Sequence, residues 1–109
     1  MRIKIKLLSV NQAWQGRRFK TKKYEDFETE LFYLLPKQKI PEGKLELNLK
    51  FGFSSKLSDI DNPTKMILDI MQKRFDFNDK WIYKLIIEKE IVKKGNEYLE
   101  FEFKEYFSS

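Results

Sequence analysis

Leu45, Leu47, Leu49, Phe51 and Phe53 alternate with Glu46, Asn48 and Lys50, a strict period of two that predicts a strand with one buried and one wet face. Residues 2 to 8 repeat the pattern more briefly, with Ile3, Ile5 and Leu7 on one side and Arg2, Lys4 and Lys6 on the other. From Thr21 the spacing changes. Tyr24, Phe27, Leu31, Leu34 and Leu35 recur at helical intervals with Glu25, Glu28 and Glu30 between them, and Pro36 ends the run. Met66, Ile67, Ile70 and Met71 form the apolar stripe of a second helix, with Lys65, Asp69, Gln72 and Asp76 on its polar side. Asn62 is its expected N-cap and Pro63 its first helical residue.

The stretch from 81 to 93 is rich in Ile, Val and aromatic residues. Lys94-Gly95-Asn96 offers a turn back into residues 98 to 107, where Leu99, Phe101 and Phe103 alternate with Glu100, Glu102 and Lys104. Residues 9 to 20 have no period and read as a loop. The order is therefore β-α-β-α-β-β. Two one-sided helices and about four one-sided strands share a core most economically as two layers, both helices covering one face of a mixed sheet. The expected class is α+β, in a single domain over residues 1–109, with no internal repeat or linker.

Composition narrows the chemistry more than the fold. The 109 residues are 41% hydrophobic and 16% aromatic, enough for a real core. There is no cysteine and no histidine. That excludes disulfides, thiolate nucleophiles, Ser-His and Cys-His catalysis, and zinc sites built on either residue. An enzyme of this composition has to work with carboxylates, lysines and a hard cation bound through oxygen. The formal net charge of +5 favours a polyanionic partner. No apolar run approaches the roughly 20 residues of a membrane span, so a cytoplasmic location is expected.

One segment concentrates the candidate chemistry: Asp59-Ile-Asp61-Asn62-Pro63-Thr-Lys65-Met-Ile-Leu-Asp69, with Asn78-Asp79 ten residues beyond it. If the chain is extended before the helix, Asp59 and Asp61 point to one side and can share a cation. Lys65 falls in the first helical turn, where a phosphate would be met. Each residue also has a plain role: Asp and Asn cap helices, and Lys65 with Asp69 is an i,i+4 pair worth a few tenths of a kcal/mol. Four acids so close, however, repel one another unless a cation lies between them. A calcium loop fails, because Pro63, Thr64 and Ile70 stand at its fifth, sixth and twelfth positions, the last two of which require Gly and Glu.

The pattern Asp59-x-Asp61-Asn62-x-x-Lys65-x-x-x-Asp69, then Asp79-x-x-Ile82, resembles the signature of the RusA family of Holliday-junction resolvases, found in bacteria and their prophages. Ser9-Val10-Asn11, Trp14 and the basic stretch through Arg18 resemble the family's N-terminal segment. The resemblance implies that Asp59, Asp61 and Asp79 are metal ligands and Lys65 the essential lysine, with Asp69 and Asn62 supporting them. Asn78 departs from the pattern, since the family commonly has a second aspartate there, and it is the alternative register for the third ligand. The activity implied by the resemblance is Mg2+-dependent hydrolysis of a DNA phosphodiester, with Mn2+ as the substitute ion, by a homodimer that makes paired nicks in a four-way junction.

DNA grip is expected from Asn11, Trp14, Arg17, Arg18, Lys20, Lys22 and Lys23. Residues 16 to 23 hold five positive charges and no acid, although a solvated loop leading into a helix has the same look. Three other readings fit the same residues: a nuclease of flaps and forks, a DNA-binding module without catalysis, and an interaction protein with no nucleic-acid role.

Overall fold

The structure, a computed structural model, describes residues 1–8, 14–15, 19–61 and 63–108. The described elements are β1 (Arg2–Lys4), β2 (Trp14–Gln15), β3 (Phe19–Lys20), α1 (Lys22–Leu34), β4 (Leu45–Phe53), α2 (Thr64–Phe75), a 3-10 turn (Asp79–Trp81), β5 (Ile82–Ile91) and β6 (Tyr98–Glu105). Four strands form a mixed sheet in the order β1-β6-β4-β5, with β4 and β5 parallel and the other pairs antiparallel. The α+β class, the mixed sheet and the two helices are those the alternation predicts.

β4 is central because its alternating side chains are needed on one face throughout. Leu45, Leu47, Leu49, Phe51 and Phe53 are all buried, and the last four share one core with Ile67, Ile70 and Met71 of α2, Phe27 and Leu31 of α1, and Leu99 and Phe101 of β6. Tyr24 packs with Met66 where both helices begin, and Arg74 near the end of α2 donates to the carbonyl of Leu35 just past the end of α1 at 2.9 Å. The helices therefore run in the same direction. Both start at the end of the sheet where β4 finishes, since a single loop carries the chain from Phe53 into α2.

Several local expectations change. Trp14–Gln15 and Phe19–Lys20 pair as a short hairpin where the aperiodic sequence predicts a loop, because two-residue ladders are too short to carry a period. β5 and β6 are not neighbours. The turn at Lys94-Gly95-Asn96 carries the chain past the end of β4, so that Tyr98 pairs with Gly52. The parallel partner explains this: a strand after the α2 crossover lies beside β4, and β6 takes the vacant antiparallel side. Leu34 is 43% exposed, because Tyr24, Phe27, Leu31 and Leu35 already complete the buried stripe. α2 begins at Thr64 with Pro63 at the cap position and no side-chain cap, so Pro63 precedes the first helical residue. Asn62 lies outside the described residues.

Gly52 exists where it does for the sake of Tyr98. A methyl group at Gly52 would overlap the Tyr98 ring, which lies across β4 with its hydroxyl donating to Glu90 at 3.1 Å and the Arg2 guanidinium over its other face. Anchored at both ends, the ring cannot swing away. Gly52→Ala is expected to destabilise the fold by about 1–3 kcal/mol through this overlap, read as a lower urea midpoint with an unchanged slope.

Candidate functional site

The segment bearing Asp59 and Asp61 is a loop rather than a strand extension, because β4 stops at Phe53 and the chain bends at residues 60 and 61. Both aspartates are exposed on it. What fixes the loop is a set of bonds to its backbone. The Ser55 carbonyl accepts from the Ser58 amide at 3.2 Å, the Asp61 carbonyl accepts from the Thr64 amide at 3.2 Å, and the Thr64 hydroxyl donates to the Ile60 carbonyl at 3.2 Å. Lys89 reaches from β5 to donate to the Ser58 carbonyl at 2.9 Å. Nothing in the local pattern at Lys89 marks it for this; only the parallel placement of β5 beside β4 brings it there.

Lys65 sits one residue into α2 and donates to Asp69 Oδ1 at 2.9 Å. Its ammonium is held above the ordinary lysine value of 10.5, first by that hydrogen bond and the charge of Asp69, then more weakly by Asp79 and Tyr24. Lys65 is thus a fixed cation, not a proton acceptor. With a side chain 74% exposed, its ion pair adds little to stability. A lysine whose folded-state pKa is raised contributes below its unfolded pKa and loses that contribution as pH rises through the folded value, here above 10.5. At any pH near neutrality the charge is present in full.

Asp79 belongs to the same face of α2, farther along. Its amide donates to Gln72 Oε1 at 2.9 Å, and the side chain of Asn78 accepts from the Lys80 amide at 2.9 Å to start the 3-10 turn. Lys65, Asp69 and Gln72 lie at i, i+4 and i+7 on one row of α2, and the charge of Asp79, whose amide meets Gln72, is felt at Lys65. Asp59 and Asp61 precede α2. Among the described residues no three Asp or Glu side chains are close enough to share a metal ion. The candidate donors are carboxylate oxygens throughout, which suits Mg2+ in chemistry.

A carboxylate that the motif does not contain lies near Asp59. Glu97 and Asp59 line the same cavity of about 210 Å³, together with Lys6, Ser54 and Ser58. Glu97 is buried, 7% exposed, and its carboxyl is held below the usual 4.5 by its own backbone amide, then by the Ser54 hydroxyl and the Gly95 amide, with Lys6 adding charge. Read as sequence, Gly95-Asn96-Glu97 is only a turn; the hop of the chain past β4 is what turns Glu97 inward. A depressed carboxyl stabilises above its unfolded pKa and loses that contribution as pH falls. Glu97→Gln is therefore expected to lower stability at neutral pH and to flatten the loss of stability below about pH 4.5, measured by urea unfolding at several pH values.

Of the expected DNA contacts, Lys22 and Lys23 are exposed in the first turn of α1, next to the start of α2 through the Tyr24–Met66 contact. They share an end of the molecule with Lys65 and the Asp59 loop. Asn11, Arg17 and Arg18 lie outside the described residues, and of Trp14 and Lys20 only the backbone is described. The wet face of the sheet is different in kind: Arg2–Glu100, Lys50–Glu90, Lys84–Glu46 and Lys104–Glu102 pair its charges at 3.0 to 3.6 Å. A face so compensated attracts a polyanion weakly. No described helix is long and apolar enough to cross a membrane.

The model of the family described as endodeoxyribonuclease RusA matches residues 9–100. That span contains all the candidate residues from Asn11 to Asp79. A search of curated proteins finds no match.

Proposed function

The chain belongs to the RusA endodeoxyribonuclease family, and we propose that it is a Mg2+-dependent enzyme that resolves four-way DNA junctions by paired, symmetric nicks. The observation that carries the reading is the family match, which embraces the aspartate loop, Lys65 and Asp79 in one span. Asp59 and Asp61 would hold the ion, with Asp79 as the third ligand and Mn2+ as an acceptable substitute. The chemistry such an ion would supply when bound is charge neutralisation at the scissile phosphate and a water of lowered pKa. Water adds to phosphorus and the P–O3′ bond breaks, leaving 5′-phosphate and 3′-hydroxyl ends.

The protein's own residues supply position and charge. Lys65, kept protonated by Asp69, balances the charge that grows on the phosphoryl oxygens as the bond breaks. Lys22 and Lys23 bind backbone phosphates on either side of it, and the first turns of α1 and α2 add the positive ends of two helix dipoles. Lys22→Ala with Lys23→Ala is expected to weaken junction binding and reduce the slope of log K against log salt by about 2, one for each phosphate that is no longer neutralised. Fluorescence anisotropy across a salt series measures it, and an unchanged slope would move the DNA surface elsewhere.

Two identical sites are needed for two nicks on opposed strands, so the working form is a C2 homodimer acting on DNA in the cytoplasm. A supercoiled plasmid carrying an extruded cruciform tests the paired cut. Linear product at early times is the expected result. Nicked circles alone, or equal cutting of a fork, would point to a nuclease of single branches.

A further inference from the structure

We propose that Lys89 is a positioning residue for the ion site: it holds the loop that carries Asp59 and Asp61 in the shape in which both carboxylates meet one cation. This role rests on the ion-dependent reading above and gives that site a residue outside the motif.

β5 pins the loop at two points. The Val92 amide donates to the Phe53 carbonyl at 2.7 Å, where β4 ends, and Lys89 Nζ donates to the Ser58 carbonyl at 2.9 Å. Between these points the Ser58 amide donates to the Ser55 carbonyl and the Leu57 amide to the Ser55 hydroxyl, each at 3.2 Å, so the chain closes into a turn. Beyond Ser58 the anchor is α2. Thr64 donates through its hydroxyl to the Ile60 carbonyl and through its amide to the Asp61 carbonyl, both at 3.2 Å. Asp59, Ile60 and Asp61 therefore bridge one anchor on β5 and another on α2. Without Lys89, only the α2 anchor holds the bridge directly.

The parallel pairing of β4 and β5 puts Lys89 in reach. Both strands finish at the same end of the sheet, and Lys89 lies opposite Phe51, on the helix-covered side. The period of two calls for an apolar residue there, since Phe51 is buried and Ile87 and Ile91 hold the neighbouring positions of that face. An exposed lysine interrupts the row instead. Ordering so long a side chain costs conformational entropy that one exposed hydrogen bond barely offsets, so the tie contributes little to global stability. Its effect is local. The carbonyl one residue before Asp59 is fixed, and with it the direction in which Asp59 leaves the backbone.

Charge and anchoring pull in opposite directions at this position. A lysine beside an ion site repels the ion, so charge alone predicts that Lys89→Met binds a divalent cation more tightly, whereas an anchor predicts weaker binding. Free Mn2+ counted by electron paramagnetic resonance, with the whole chain and no DNA, measures the affinity, and Asp61→Asn identifies the part that belongs to this site. Lys89→Met is expected to weaken Mn2+ binding about ten-fold, the lower end of the range for residues that orient metal ligands, and Lys89→Arg, which can still donate to the carbonyl, to stay within about two-fold of wild type. In cleavage, the Mg2+ concentration for half-maximal rate should rise with Lys89→Met and the deficit in rate should shrink as Mg2+ is raised, while junction binding in chelator and the urea midpoint change little. Tighter or unchanged Mn2+ binding by Lys89→Met, weakening that Lys89→Arg shares, or Mn2+ binding that Asp61→Asn leaves intact would overturn the role. So would a loss of junction binding with a smaller salt slope, which would make Lys89 a phosphate contact. Unchanged Mn2+ binding by Lys89→Met beside ion-dependent cleavage by wild type would remove the anchor and leave the nuclease reading standing; weakened binding in a chain that cuts no junction would do the reverse.

Discussion

Replacing Asp61 with Asn is expected to lower Mg2+-dependent junction cleavage by about 10³-fold or more while junction binding is retained. The substitution keeps the size of the side chain and its hydrogen-bonding reach, and removes the negative charge that would hold the ion. Asp61 is exposed, and its structural bond to Thr64 runs through its backbone carbonyl. The fold therefore has no reason to suffer. Under the proposed reading, binding comes from the lysines at the helix N-termini, and removing an acid near them would weaken no phosphate contact. Single-turnover cleavage beside anisotropy binding separates the two quantities. Cleavage within a few-fold of wild type would take Asp61 out of the ion site, and abolished binding would mean that the loop shapes the DNA surface itself.

Lys65→Gln is the second large effect. The ammonium is the cation that would face the developing charge, and Asp69 holds it in place and protonated. Its removal is expected to lower cleavage by about 10²- to 10³-fold, the usual range for one preorganised donor to a developing negative charge. Stability should change little, because the Lys65–Asp69 pair is exposed. The pH profile adds a second reading. Since the lysine pKa lies above 10.5, titration of Lys65 cannot shape the rate between neutrality and about pH 9, and the slope there should be the same in wild type and variant. A limb in that range that disappears with Lys65→Gln would make the lysine a titrating catalyst instead.

How much of the fold and site is legible in the sequence depends on how local each feature is. The alternation of β4 and the stripe of Met66, Ile67, Ile70 and Met71 reveal the layers, because burial on one face imposes a period that a window of about ten residues contains. The i,i+4 pair of Lys65 and Asp69 is legible for the same reason. The hairpin of residues 14–15 and 19–20 is not, since two-residue ladders impose no period. The separation of β5 from β6 is also hidden: a Gly-Asn turn reads as a hairpin whether or not a third strand lies between. Hidden with it are the inward turn of Glu97 and the Lys89 tie to Ser58, both of which depend on which strand lies beside β4.

Asp79 shows the same limit within the site. The motif names it beside Asp59 and Asp61, and its contact with Gln72, made where the chain after α2 folds back along the helix, is visible only in the structure. Asp59→Asn, Asp61→Asn and Asp79→Asn compared in one cleavage assay would show whether all three act as one set.

Junction-specific, ion-dependent hydrolysis is best tested by incubating the wild-type chain with an end-labelled four-way junction and with a linear duplex of the same sequence, each with Mg2+ and with chelator. The expected outcome is 5′-phosphorylated products from the junction in the presence of Mg2+ and no products from the other three reactions. Junction cleavage that persists in chelator, or a junction that is bound and left whole in Mg2+, would refute the proposed activity.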